Sequence, residues 1–239
     1  MRQIAQQRII DRPKRHAVNK VTLLALPPLT TGAGLVVYIM AGVSLPLATG
    51  LVALIGLGVT WVVWHQTPAT IRPILKHRAM VGLQAGIIAT AAYDGCRYVF
   101  VTFLHFSFWP FDIFSIFGRL LIGDSAPATI AVAVGVLFHY ANGIGFALGY
   151  ALLFRRPRIL TGLIWAAVLE LFMVSLYPGW LGLKALDEFL SVSIFGHVVY
   201  GTVLGAFTRR RLCHLLVTLN SHSGTRTPDD HVNVSGHRQ

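Results

Sequence analysis

The chain has 239 residues, of which 54% are hydrophobic and only 12% charged, with a net charge of +11. Soluble domains carry about 25% charged residues, and the mean hydropathy of +0.64 leaves too little polar surface to cover a water-soluble fold. The basic excess does not mark a nucleic-acid partner either, because it falls in short segments between apolar runs, the positive-inside pattern of membrane proteins.

In chain order, residues 1–20 form a basic segment with Arg2, Arg8, Arg12, Lys14, Arg15 and Lys20. It is too polar for a secretory signal, and no small-residue cleavage site follows. Six apolar spans come next, at 21–41, 46–64, 79–104, 128–154, 159–176 and 189–208. Runs approaching or exceeding 18 residues are the length a helix needs to cross a bilayer. Pro46 and Pro127 sit near span starts, where a helix tolerates proline, and Pro178 follows the end of the fifth span. Pro27 and Pro28 fall inside the first, where they either kink it or mark its true start and leave a short helix. The expected fold is therefore all-α, a bundle of six transmembrane helices over 21–208, with one compact domain since no polar linker divides it.

Charge sets the orientation. Arg72, Lys76 and Arg78 lie between spans two and three, and Arg155, Arg156 and Arg158 between four and five. Arg209, Arg210, Arg211, Arg226 and Arg238 follow span six. With six spans, all of the 20 Lys and Arg residues except Arg97, Arg119 and Lys184 share one side. That side is cytoplasmic, so both termini are cytoplasmic, and one span more or fewer destroys the sorting. Location in a cell membrane follows, with lipid as the main partner.

The outer connection, 105–127, carries Phe106, Phe108, Trp109, Phe111, Phe114 and Phe117. It is too apolar for a free loop. It reads as an interfacial aromatic anchor containing a short helix in the headgroup region, or as a cover over an outward-facing cavity. Tyr177 and Trp180 fit the same aromatic belt. Residues 209–239 read as a basic, polar, disordered tail. Cys96 lies in an apolar run and Cys213 in that tail, so a disulfide between them is not expected.

Ionisable residues within the spans carry the functional signal. A charged group in the bilayer is expensive and marks a site by default. At about 1.5 Å per residue, Glu170 lies about 9 Å, His197 about 12 Å, Asp94 about 15 Å and His139 about 16 Å from the outer ends of their spans. All four share a slab in the outer half of a ~30 Å core. Asp94 and Arg97 are spaced to pair along one helix face. An unpaired carboxylate at that depth is driven to its protonated form, and histidine changes charge near neutral pH. Asn142 and Tyr200 lie one turn from the histidines and are placed to complete their hydrogen bonds.

His139-Tyr-Ala-Asn-Gly143 and His197-Val-Val-Tyr-Gly201 share the pattern H-x-x-x-G, on helices of the same direction that both end in arginines. With Gly82/Gly86, Gly145/Gly149 and Gly201/Gly205, these small residues mark closely packed faces. They are open to three uses: packing within the chain, pairing of chains in a homo-oligomer, or an internal repeat of the transporter kind. No H-E-x-x-H, P-loop, G-x-S-x-G, C-x-x-C or clustered histidine box occurs. A metal site is not specified by spacing; His139, His197 and Glu170 are the side chains that would have to build one. No cofactor is indicated.

The third span, with Gly82-x-x-Ala85-Gly86-x-x-Ala89-Thr90 before Asp94, and the histidine–glycine helices ending in arginine resemble small polytopic bacterial membrane proteins of unknown function. The resemblance implies a helical protein of the bacterial cytoplasmic membrane and supplies no catalytic residue. The leading functional expectation is a small transporter or channel in which Glu170, His139 and His197, with Asp94 and Arg97, form an outward-accessible polar site for a proton or a cation-linked solute. Two others stand beside it: a membrane-embedded, metal-dependent enzyme acting on a lipid or isoprenoid, and a structural or assembly subunit with no site.

Overall fold

A computed structural model describes residues 22–182 and 185–223, and among them every regular element is helical. A 3-10 turn, Pro27–Leu29, opens α1 (Thr30–Ala41), and α2 is Leu45–Gln66. Next come α3 (Arg72–Leu104), α4 (Asp112–Ile122) and α5 (Ala128–Leu153). The chain closes with α6 (Ile159–Leu181) and α7 (Leu186–Ser223). Five helices, α2, α3, α5, α6 and α7 as far as Cys213, are long and apolar enough to cross a membrane. Leu51, Leu54, Leu57 and Trp61 of α2 and Leu160, Leu171 and Phe172 of α6 are exposed. In water that much apolar surface drives aggregation; here it is the surface that meets lipid.

Pro27 and Pro28 open the continuous helix, after a short helical stretch at 22–23. Proline fixes φ and lacks an N–H, so it suits a first turn and interrupts an interior one. The Thr30 hydroxyl donates to Pro27 O at 2.5 Å and ties down that turn. The apolar helix Pro27–Ala41 is shorter than the other five, and at 1.5 Å per residue it is about 22 Å long against a ~30 Å core. Gly42, in the left-handed region at φ 67°, ends it and starts a tight connection to α2.

Two helix ends differ from the sequence-based expectation. Pro178 lies inside α6, in its last turn; the N–H it lacks leaves a carbonyl of the preceding turn without its helical bond, and the helix ends soon after, capped by Gly182 at φ 58°. Helix α7 runs on through 209–223, where a disordered tail is expected. No Gly or Pro interrupts the chain between Gly205 and Gly224, so a helix already nucleated in the bundle propagates. The rest of that tail, 224–239, and the basic segment 1–20 lie outside the described residues.

The bundle is built on α3, which packs against α5 on one side and α7 on the other; α6 packs on α7, and α1 on α2. Small residues permit the close crossings. A Cβ at Gly86 would press on Ile144, and one at Gly201 on Gly162 and Ala166. Gly145 meets Pro28, and Gly205 meets Arg158 and Ile159. The glycine pairs 82/86, 145/149 and 201/205 are thus all consumed inside one chain. These three pairs therefore serve packing within the chain, one of the uses open from sequence. Arg78 of α3 donates from Nε to Ala151 O at 2.8 Å, and also to Phe154 O, satisfying carbonyls at the end of α5 that a helix leaves open.

The aromatic connection folds inward. Gly118 of α4 sits directly on the Ala131 backbone of α5, and Gly135 sits on the Phe114 backbone. Moving along α4 from 114 to 118 matches moving back along α5 from 135 to 131, so the two helices are antiparallel. Phe117 packs on Phe138 with ring centroids 5.2 Å apart, and Phe114 on His139 at 5.1 Å. Helix α4 therefore stands along α5 rather than lying across the end of the bundle.

Candidate functional site

The ionisable side chains of four helices meet around one central region, but as two separate pairs. On α6 and α7, Glu170 Oε2 lies 2.7 Å from His197 Nδ1. The Ser193 hydroxyl, one turn before His197, donates to the same oxygen at 2.6 Å. Nδ1 is also 3.1 Å from Ser193 O. Since a carbonyl can only accept, Nδ1 carries the proton and donates. Nε2 then has no hydrogen-bond partner among the described residues. Glu170 Oε1 is buried and likewise unpartnered.

On α3 and α5, His139 Nε2 lies 3.1 and 3.2 Å from the two oxygens of Asp94. Arg97 donates from one nitrogen to Asp94 Oδ1 at 3.2 Å and from another to Pro110 O at 2.8 Å. Pro110 is fully buried. The guanidinium also lies 4.8 Å from the Tyr93 ring centre and 5.3 Å from that of Phe111. This is how a 7% exposed arginine is tolerated in an apolar bundle: a counter-charge, a carbonyl and two aromatic faces replace its water.

Tyr93 joins the pairs. Its ring touches His197 edge-on at 5.1 Å and His139 at 6.0 Å. It reaches α7 over Gly196, where a Cβ would meet the ring. Among the described residues, no three His, Cys, Asp or Glu side chains come together as a metal ion requires. The candidate ligands His139, His197 and Glu170 are divided, each histidine having its own carboxylate.

A cavity of about 560 Å³ lies in front of both pairs. Its wall on one side is polar: Thr90, Tyr93 and Arg97 from α3, His139 and Asn142 from α5, Ser193, His197 and Tyr200 from α7. The opposite wall, from α1 and α6, is apolar, with Ala33, Val36, Val37, Val168, Leu169 and Phe172. Helices α1 and α6 scarcely touch one another. Phe117 and Tyr177 line the end near α4, and Trp180 packs on Tyr177 at 5.4 Å, Tyr38 at 5.8 Å and Phe117 at 6.3 Å.

Of the residues singled out from sequence, Glu170, His139, His197, Asp94 and Arg97 all engage in these pairs. Asn142 and Tyr200 do not bond the histidines. Tyr200 donates to Gly143 O at 2.7 Å and pins α7 to α5, while Asn142 Oδ1 has no partner. Three contributors were missed. Ser193 was legible, since Ser-x-x-x-His puts both on one helix face. Tyr93 and the Pro110 carbonyl gave no sequence signal, because an aromatic or a proline near an apolar run is ordinary there.

Neither the curated proteins nor the solved structures contain a match to the chain. A family of unknown function, DUF6789, matches residues 76–214, which take in both carboxylate–histidine pairs and all of α4, α5 and α6 but neither α1, with its side of the cavity, nor α2. Matching more than half of the sequence, it assigns the chain, a helical protein with five helices able to cross a membrane, to the family DUF6789.

Proposed function

We propose that this protein is a small proton-linked transporter of the cell membrane. In this reading it has six spans, with Pro27–Ala41 crossing as a short first helix and both termini cytoplasmic. The distribution of Lys and Arg supports the orientation. The re-entrant course of α4 along α5 lets residues 105–127 close the outer side of the cavity.

The observation that carries the reading is two carboxylate–histidine pairs behind the wall of one cavity. The titratable set is Asp94, Glu170, Arg97 and the two histidines. With both imidazoles neutral it bears one net negative charge. Net charge in a low-dielectric bundle is costly, which makes such a set a place where one proton matters. A proton held by one of the two histidine–carboxylate pairs is one that a change of solute or of pH can release. The cavity is far larger than a cation needs and lies within the size range of organic-ligand sites, which favours a solute over a bare ion.

In proteoliposomes carrying an internal pH dye, an imposed pH gradient is expected to collapse several-fold faster than in empty liposomes. Glu170→Gln should return the rate to that of empty liposomes while the circular dichroism of the protein stays unchanged. Equal rates for the original protein and Glu170→Gln would overturn the proposal.

One observation favours a second reading. Glu170 orients an imidazole whose Nε2 is free and which lines the cavity, the arrangement of a general base. A membrane enzyme acting on a lipid or isoprenoid would use it so. Turnover of a bilayer lipid, detected by mass spectrometry and lost in His197→Ala, would select that reading.

A further inference from the structure

We propose that the cavity binds a lipophilic organic cation, and that the bound cation takes the place of a proton on His197 as counter-charge to Glu170. The inference rests on the proton-linked reading above and names the solute class. Three features carry it.

The first is size and lining. The cavity of about 560 Å³ holds a molecule of several rings, and Tyr93, Phe146, Trp165, Phe172, Tyr177 and Tyr200 face it. Aromatic faces present negative quadrupole and attract a desolvated cation.

The second is a set of buried polar groups without partners. Thr90 Oγ1, Asn142 Oδ1 and Glu170 Oε1 are buried around this region without hydrogen-bond partners; Trp165 Nε1 is an unused donor there. A buried acceptor without a donor is costly. Glu170 Oε1 is the anionic one among them, and no donor among the described residues meets it. Arg97 does not fill that need, being engaged with Asp94 and Pro110.

The third is the exchange itself. Glu170 stands one layer behind the cavity wall, reaching it through Ser193 and His197. The groups facing His197 are Glu170 from α6 and, from α3, the Tyr93 ring with Arg97 and Asp94 beyond it. With His197 protonated, the carboxylate is balanced and a second cation in the cavity is repelled. When His197 gives up its proton through Nε2, the negative charge of Glu170 is uncompensated and a cation in front of it is attracted. Proton and cation thus exclude each other. The apolar wall formed by α1 and α6, which scarcely touch, is the route by which a lipophilic cation arrives from the bilayer.

The test uses tetraphenylphosphonium and its anionic counterpart of the same shape, tetraphenylborate, with the full-length protein in detergent. Titration calorimetry should show tetraphenylphosphonium binding that strengthens as pH rises, by up to about tenfold per unit where one proton is exchanged. A pH indicator in weak buffer should register proton release on mixing. Tetraphenylborate should bind at least tenfold more weakly (about 1.4 kcal/mol), and Glu170→Gln should abolish proton release. Equal binding of the two probes, or phosphonium binding without pH dependence, overturns the inference, and either result is read on the unsubstituted protein if Glu170→Gln does not fold. Failure here with Glu170-dependent proton flux intact removes the solute class and leaves the transporter. Phosphonium binding with proton release but no flux does the reverse.

Discussion

Asp94 is the residue on which the polar interior leans most. It accepts from Arg97 and from His139 at once, so its loss strands a buried guanidinium. Asp94→Ala should cost about 3–5 kcal/mol, the range for breaking a buried pair from one side. Removing both charges, in Asp94→Ala with Arg97→Leu, should recover most of that loss. Unfolding of the single and double variants in detergent micelles decides the matter, and equal destabilisation would refute the role given to the pair. The Asp94–Arg97 contact was legible in sequence because three residues apart on a helix is one face. The assignment of each histidine to a different carboxylate was not. Depth along a helix is readable from residue counting, but rotation about its axis and the choice of neighbour come from packing. Shared depth alone therefore made one cluster of what is two pairs.

Helices were read more securely than their ends. Apolar runs identify α2, α3, α5, α6 and α7 because each must hide its backbone from lipid by internal hydrogen bonds. Helix α4 is different. Its sequence shows an aromatic-rich stretch, and its place is fixed by two glycines that let its backbone touch that of α5. Gly135→Leu should push α4 off α5, since a side chain at 135 has to occupy the space of the Phe114 backbone. A cysteine at Ile113 should then change from poorly to readily labelled by a maleimide. Gly95→Ala, where a Cβ meets nothing, is the matched control and should leave labelling unchanged. If Gly135→Leu leaves the Ile113 cysteine protected, the antiparallel packing is not what holds α4. The glycines were visible in sequence as a pattern, but not their partners, since a small residue permits a close approach without saying by what.

The whole molecule poses a topological question that rests on α1. Native Cys213 is exposed where the apolar stretch of α7 ends. With Cys96 replaced by alanine, Cys213 and a cysteine at Gln3 should be labelled by an impermeant reagent only in inside-out vesicles, and one at Asp124 only in right-side-out vesicles. Labelling of the Gln3 position from the same side as Asp124 would show that α1 does not cross, and would reduce the proposed six spans to five. Composition and the spacing of apolar runs determined by themselves that this is a helical membrane protein, because the bilayer imposes one length and one internally bonded structure on any crossing segment. They also marked the side chains whose burial needs compensation. Only the tertiary structure decided which of these compensate one another, that the glycine faces are spent within the chain, and that a cavity with one polar and one apolar wall stands in front of both pairs. Those are properties of helix rotation and mutual approach, which depend on every neighbour at once and leave no periodic trace in the sequence.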